Sequence, residues 1–194
     1  PMAMAATGEG FRLRRLGPAM GAEILRVVEL VKRRNPRAIY CCDPVIGDVG
    51  RGIYVRPGIP EFLRDEVVPA AQVVTPNHFE LDYLSGRTTS TLAEVVAAAQ
   101  ELRGRGPDVV LVTSAVLAGE AVDQVNLVAV SGAGAWKVTT PRLSRNFTGS
   151  GDVTAALFLA HLLRARTRAG AVPHAPRPGR LLHSAARFPD AARR

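Results

Sequence analysis

Wholly apolar runs and amphipathic runs alternate along this chain. From Pro18, the residues Met20, Ile24, Val27, Val28 and Val31 recur at helical spacing and predict a helix with that apolar face, ended near Asn35-Pro36. Residues 38–42 are apolar throughout, the pattern of a strand covered on both faces. Residues 57–68 read as a helix with Phe62 and Leu63 inward, and 72–75 as a second short strand. Pro76-Asn77 can then start a helix that carries Glu80 and Leu84 on one side. Thr91 followed by Glu94 is a capping box, opening a helix through Leu102 that Gly104 and Gly106 stop. V-V-L-V-T at 109–113 is a third buried strand, and 124–130 with 135–140 form a hairpin around Ser131-Gly132-Ala133-Gly134. The last periodic run follows Gly151, with Val153, Ala156, Leu157, Ala160 and Leu163 near helical spacing. This alternation predicts βαβ units, hence an α/β domain with a mainly parallel sheet and a late antiparallel hairpin.

With 194 residues, 47% of them apolar, the chain suits one domain with a sizeable core. No apolar run reaches the eighteen or so residues of a membrane helix, and no secretory leader pattern is seen. Cys41 and Cys42 are adjacent and read as small strand residues, so the expected location is cytoplasmic. The net charge of +8 suggests nucleic acid until it is located. Residues 1–37 hold eight basic and three acidic side chains, and 164–194 hold eight Arg and one Asp. The 126 residues between hold nine basic and thirteen acidic groups, without a basic stripe interleaved with aromatics, which argues against nucleic-acid binding. The expected organisation is a divergent or disordered segment at 1–19, a folded domain at 20–163, and a poorly ordered Arg/Ala/Pro-rich tail at 164–194.

Candidate chemistry gathers behind the apolar runs. D-P-V-I-G-D-V-G-R-G-I-Y-V at 43–55 places Asp43 and Asp48 in a Gly-rich loop after a buried strand, where parallel sheets bind ligands. G-S-G-D at 149–152 opens the last helix. There the N–H groups of Gly149, Ser150 and Gly151 can face an anion, and Asp152 suits a base beside developing negative charge. The same pattern also serves a loop with an acidic N-cap, and solvated turn aspartates are the bland reading of Asp43 and Asp48.

Taken together, D-P-V-I-G-D at 43–48, T-P-N-H-F-E at 75–80, V-L-V-T-S at 110–114 and G-S-G-D at 149–152 resemble the pyridoxal kinases of the ribokinase-like superfamily. R-P-G-I-P-E-F-L at 56–63 and D-V-T-A-A-L-F at 152–158 are similar to the bacterial vitamin B6 salvage enzymes. The resemblance runs from about Met20 to Leu163 and implies a three-layer α/β/α ribokinase-like fold. It implies an ATP-dependent kinase that phosphorylates the 5′-hydroxymethyl group of pyridoxal, with Mg²⁺, a K⁺ or Na⁺ ion near Thr75 and Thr113, and a homodimer. By the same resemblance Asp152 is the catalytic base and touches substrate, as does Tyr54, while Gly149, Ser150 and Gly151 form the anion hole. Asp43, Asp48 and Glu80 manage Mg²⁺ and phosphates. Thr75, Asn77, Thr113 and Ser114 lie on the nucleotide side, and Thr140, Pro141, Arg142 and Leu143 beside the adenine. Hydroxymethylpyrimidine kinases share D-P-V and T-P-N but usually carry cysteine after the glycine pair, so Asp152 points to the pyridoxal enzymes. The family's strand-rich N-terminal portion, with an early serine on the pyridine ring, finds no match before Met20, and its C-terminal helices find none after Leu163. The resemblance thus also allows a non-catalytic remnant that binds nucleotide weakly.

Overall fold

The computed structural model describes residues 3–5, 9–143, 149–171 and 186–188. In chain order these form β1 (Ala3–Ala5), α1 (Glu9–Arg34), β2 (Ile39–Cys42), β3 (Gly47–Asp48), β4 (Gly52–Ile53) and α2 (Ile59–Phe62). A π-helical turn (Leu63–Val67) leads into α3 (Val68–Ala70), then β5 (Val73–Val74), α4 (His78–Ser85), α5 (Leu92–Arg103) and β6 (Val109–Ala115). The chain continues through β7 (Gln124–Ser131), β8 (Gly134–Pro141), α6 (Ser150–Ala171) and β9 (Ala186–Phe188). The main sheet has the order β1-β2-β5-β6-β7-β8-β9. Its first four strands are parallel, and the β7–β8 hairpin and β9 add antiparallel.

Strand residues alternate between two apolar layers, as the period of two requires. Tyr40, Cys42, Val74, Val110 and Val112 join Val28 of α1, Leu63, Leu81, Leu84, Val95 and Leu102 in the larger core. Ile39, Cys41, Val73 and Val109 face Leu159 of α6 on the other side. The result is the α/β/α layering that the resemblance implies, with α1 to α5 on one face and α6 on the other. Both helix starts read from sequence carry their caps. Asn77 and Glu80 complete a capping box on α4, and Thr91 and Glu94 complete another on α5.

Four local expectations are corrected. The helix expected from Pro18 starts at Glu9 and runs through Pro18. The Arg- and Leu-rich residues before it favour helix, and Pro18 is accommodated inside it without ending it. Its buried face also differs: Val28 is buried, but Met20 and Val27 are 42% and 50% exposed. Gly21 faces the Phe62 ring, where a Cβ would overlap Cε1, and this close approach turns the stripe. The Gly-rich loop after β2 contains the β3–β4 hairpin. The helix predicted from 57 to 68 is interrupted where the Val68 N–H reaches Leu63 O, five residues back. Pro69, with no N–H and a ring that crowds the preceding turn, accounts for that register change. In α6, Ala155 and Leu159 are buried, whereas Val153 and Leu157 are 58% and 57% exposed. A-A-L-F-L-A-H-L-L is apolar nearly all round, so spacing alone could not choose its face. Most of the tail, residues 172–185 and 189–194, and residues 1, 2 and 6–8 lie outside the described residues.

Candidate functional site

Because β2, β5 and β6 run parallel, their carboxyl ends share one edge of the sheet, and each ends in polar residues. Asp43 follows β2, Thr75 follows β5, and Thr113-Ser114 lie at the end of β6. β8 runs parallel to β6 through the intervening β7, so Thr140–Leu143 emerge at the same edge, two strands further on. The N-terminus of α6 meets this edge beside Asp43: a Cβ on Gly151 would come 3.8 Å from Asp43 Oδ2.

The centre is a network of backbone and carboxylate groups. Thr75 Oγ1 donates to Asp43 Oδ1 at 3.0 Å, leaving Oδ2 towards Gly151. Asn77 caps α4 by accepting the Glu80 N–H at 2.9 Å, while its Nδ2 donates to Gly47 O at 2.8 Å. Glu80 is 3% exposed, and both its oxygens are taken by backbone donors, Ile46 N at 2.9 Å and Asn77 N at 2.8 Å. It ties the loop after β2 to the start of α4. Gly47 is confined there, since a Cβ would overlap both the Phe79 ring and Gly52 O.

Burial pushes the Asp43 carboxyl up to about 6; the Thr75 hydrogen bond opposes the rise and the charge on Asp152 adds to it. Burial likewise pushes Glu80 up to about 8 against the backbone donors of Asn77, Ile46 and Gly47, with the Asp43 charge adding. Asp43 and Asp152 are therefore close enough to feel each other, and a cation between them would relieve the repulsion.

At the head of α6, Gly149 sits at φ 88, a conformation open to glycine, and its O accepts the Val153 N–H at 3.0 Å. Asp152 falls in the first turn, with Oδ2 3.9 Å from where a Gly149 Cβ would stand. The first N–H groups of a helix lack intrahelical acceptors, so Ser150 and Gly151 present donors next to two carboxylates. Such a juxtaposition can hold an anionic group and take a proton from its acceptor.

The structure thus brings together Asp43, Thr75, Asn77, Glu80, Gly151 and Asp152. Asp48 stands apart on the β3–β4 hairpin, exposed, accepting the Val49 N–H at 2.8 Å. Tyr54 lies beyond that hairpin, with the Arg51 guanidinium 5.4 Å from its ring centre. Among the described residues, no three His, Cys, Asp or Glu side chains converge to hold a metal. Arg142 is engaged with the start of β7, donating to Val122 O and Gln124 O, and Leu143 is 72% exposed.

Two features of the edge went unread in the sequence. Ser114 adopts φ 52, the left-handed region that costs a non-glycine residue on the order of 1 kcal/mol or more. His78, the H of T-P-N-H-F-E, is 5% exposed and bonded to the segment that follows Ser114. The histidine was visible in the motif, but its partner, a backbone N–H 38 residues away, was not.

Comparison with known proteins agrees with this fold. The profile of the phosphomethylpyrimidine kinase family matches residues 10–178. A pyridoxal kinase of Rubrobacter xylanophilus is 52% identical over 150 residues, covering 76% of this chain and 51% of its own length. The pyridoxal kinase of Entamoeba histolytica superposes with a TM-score of 0.67 at 24% identity, over 77% of this chain and 52% of that one. That of Staphylococcus aureus, solved with AMP-PCP and pyridoxal, gives a TM-score of 0.57 at 25% identity, over 72% and 49%. The chain spans about half the length of the curated relatives it matches. With its strand-end acids, its glycine-led helix and a family match across most of its length, the chain belongs to the phosphomethylpyrimidine kinase family, as a homologue of the pyridoxal kinases.

Proposed function

We propose that this chain transfers the γ-phosphoryl group of ATP to the 5′-hydroxymethyl oxygen of pyridoxal, giving pyridoxal 5′-phosphate and ADP. One observation carries the reading: Asp152, in the first turn of α6, lies close enough to Asp43 at the end of β2 for their charges to interact, and the head of α6 meets Asp43 at Gly151. In the transfer, the hydroxymethyl oxygen bonds to the γ-phosphorus as the bond to the β-phosphate oxygen breaks. The hydroxyl proton passes to the Asp152 carboxylate. Phosphoryl transfer has a loose transition state, so placement and charge matter more than covalent help. The N–H groups at the head of α6 are donors suited to the γ-phosphoryl oxygens, and one such donor can contribute about 3 kcal/mol.

Asp43 fits a divalent cation, because its Oδ2, left towards Gly151, together with phosphate oxygens belongs to the hard oxygen set that Mg²⁺ takes. Bound there, Mg²⁺ would supply charge neutralisation for the nucleotide phosphates. Glu80 serves instead as a brace, since backbone donors occupy both its oxygens. Thr75, Asn77, Thr113 and Ser114 form the nucleotide side, and Thr140–Leu143 extend the same edge towards the adenine. Relatives that bind both AMP-PCP and pyridoxal support the choice of substrates. A cytoplasmic homodimer is the setting that family membership suggests.

The test is formation of pyridoxal 5′-phosphate from Mg·ATP and pyridoxal, with Asp152→Asn as the paired variant. Asn keeps the size and the capping oxygen of Asp but cannot take the proton, so the rate should fall about 10²–10⁴-fold with Mg·ATP affinity nearly unchanged. A variant as fast as the parent would reduce Asp152 to a helix cap. Mg·ATP binding without any transfer by the parent would assign the second reading, a nucleotide-binding chain without catalysis. The half-length coverage of relatives is the observation that favours that reading.

A further inference from the structure

We infer that His78 is a positioning residue for the nucleotide edge: its imidazole fixes where the turn around Ser114 sits. The inference rests on the reading of Thr113 and Ser114 as nucleotide-side residues. Its structural half, a clamp on this turn, stands on geometry alone.

The hydrogen-bond pattern fixes the ring's protonation. Val116 N–H donates to His78 Nδ1 at 2.8 Å, so Nδ1 is an acceptor and the ring is neutral with its hydrogen on Nε2. Nε2 lies 3.0 Å from Thr89 O, which can only accept, and 3.0 Å from Thr89 Oγ1. That hydroxyl donates its own hydrogen to Asp82 Oδ1 at 2.7 Å, so towards the ring it too accepts. Asp82 also receives the Thr89 N–H at 3.2 Å, and its Oδ2 stands 3.8 Å from Nε2. The ring is held from behind by Thr89 and Asp82, leaving Nδ1 aimed at one backbone donor.

That donor lies just past an irregularity in the sheet. The β6–β7 pairing shifts register between Val112 and Ala115, and Ser114 takes its left-handed conformation inside the shift. Two hydrogen bonds flank it. Thr113 N–H donates to Pro76 O at 2.8 Å on one side, and Val116 N–H to His78 Nδ1 on the other. Both acceptors belong to the short run 76–78, which also carries Asn77, the partner of Glu80 and Gly47. One rigid helix start therefore sets both the acidic centre and the Ser114 turn. Without the Nδ1 acceptor, the strained turn keeps Thr113 on Pro76 O and Ala115 paired with Asn126, but loses its tie to α4 beyond Ala115 and can relax away from the edge.

Two substitutions separate the two ring nitrogens. In His78→Asn the amide oxygen takes the place of Nδ1 and can still accept from Val116. In His78→Gln the amide nitrogen takes the place of Nε2 and can still donate to Thr89 O. Each loses one buried hydrogen bond, so a purely structural histidine predicts similar losses of melting temperature and of function in both. The positioning role predicts that His78→Gln raises the dissociation constant for Mg·ATP about tenfold and speeds amide exchange at Val116. His78→Asn should keep both close to the parent at a comparable melting temperature. Equal effects of the two variants on Mg·ATP affinity, or unchanged Val116 exchange in His78→Gln, would overturn the inference. Fast exchange in His78→Gln with parental affinity would overturn the link to nucleotide and leave only the clamp. If the parent itself binds no Mg·ATP, the failure belongs to the proposed function, and exchange at Val116 in the full chain still decides the clamp.

Discussion

Two acids at the carboxyl edge, Glu80 buried and Asp43 half-buried, are held in different ways, and pH should tell them apart. Glu80 has both oxygens committed to backbone donors, whereas Asp43 has one oxygen on Thr75 and the other open towards Gly151. Both carboxyls stand above their ordinary values, Asp43 at about 6 against 3.8 and Glu80 at about 8 against 4.5. An acid whose pKa is raised by folding stabilises the fold fully below its unfolded value, and that contribution is lost as pH rises through the folded one. Stability of the ligand-free chain should therefore fall between about pH 4 and pH 8, by an amount on the order of 2 kcal/mol or more. Thermal unfolding across this range checks it, with Asp43→Asn flattening the lower part of the fall and Glu80→Gln the upper part. A melting temperature that does not change from pH 5 to pH 8 would refute the assignment. Below about pH 4, before the parent's fall begins, Glu80→Gln should cost about 1–3 kcal/mol, because its amide NH₂ must face one of the two backbone donors.

Among the elements, α6 gives the sharpest contrast between what apolar spacing suggests and what packing decides. Leu159→Ala should destabilise by about 2–4 kcal/mol, because Leu159 is 3% exposed against Ile39, Cys41, Val73 and Val109. Leu157→Ala, at a site 57% exposed, should change stability by less than about 0.5 kcal/mol. Denaturant titration of the two variants tests the facing directly, and the reverse order would restore the face that spacing alone suggests. Much of the fold could be read before any coordinates. β2, β5 and β6 are short apolar runs, the β7–β8 hairpin is flagged by Ser131-Gly132-Ala133-Gly134, and both capping boxes announce their helices. These features are local, so the residues that specify them are neighbours in the chain. What stayed hidden depends on distant partners. Gly21 against Phe62 rotates α1, the Val109 side of the sheet selects the face of α6, and a histidine in α4 receives the N–H of Val116. The same division holds at the carboxyl edge, where Asp43, Thr75, Asn77, Glu80, Gly151 and Asp152 lie on neighbouring strand and helix ends. Asp48 does not join them, because the β3–β4 hairpin turns it outward.

At the scale of the molecule, the described residues cover the two faces of the sheet unequally. The larger core draws on α1 to α5, while the layer under α6 gathers, among the described residues, the smaller cluster of Ile39, Cys41, Val73, Val109 and Leu159. Local opening follows buried contact, so α6 should detach more readily than the parallel strands separate. Native-state hydrogen exchange should show amides near Ala155 and Leu159 opening at a lower free energy than those of Val74 and Val110. Equal protection of the two groups would mean that α6 unfolds only with the core. The uneven covering bears on what heat would do to this chain. Asp152 is carried by the more lightly anchored helix and Asp43 by the deeply anchored strand, so their encounter has a melting point of its own. As temperature rises, the share of molecules with both acids in place shrinks while the sheet and its larger layer of helices are still intact. The proposed transfer would then fade below the temperature at which circular dichroism reports unfolding, and a ligand gripping both acids would draw the two temperatures together.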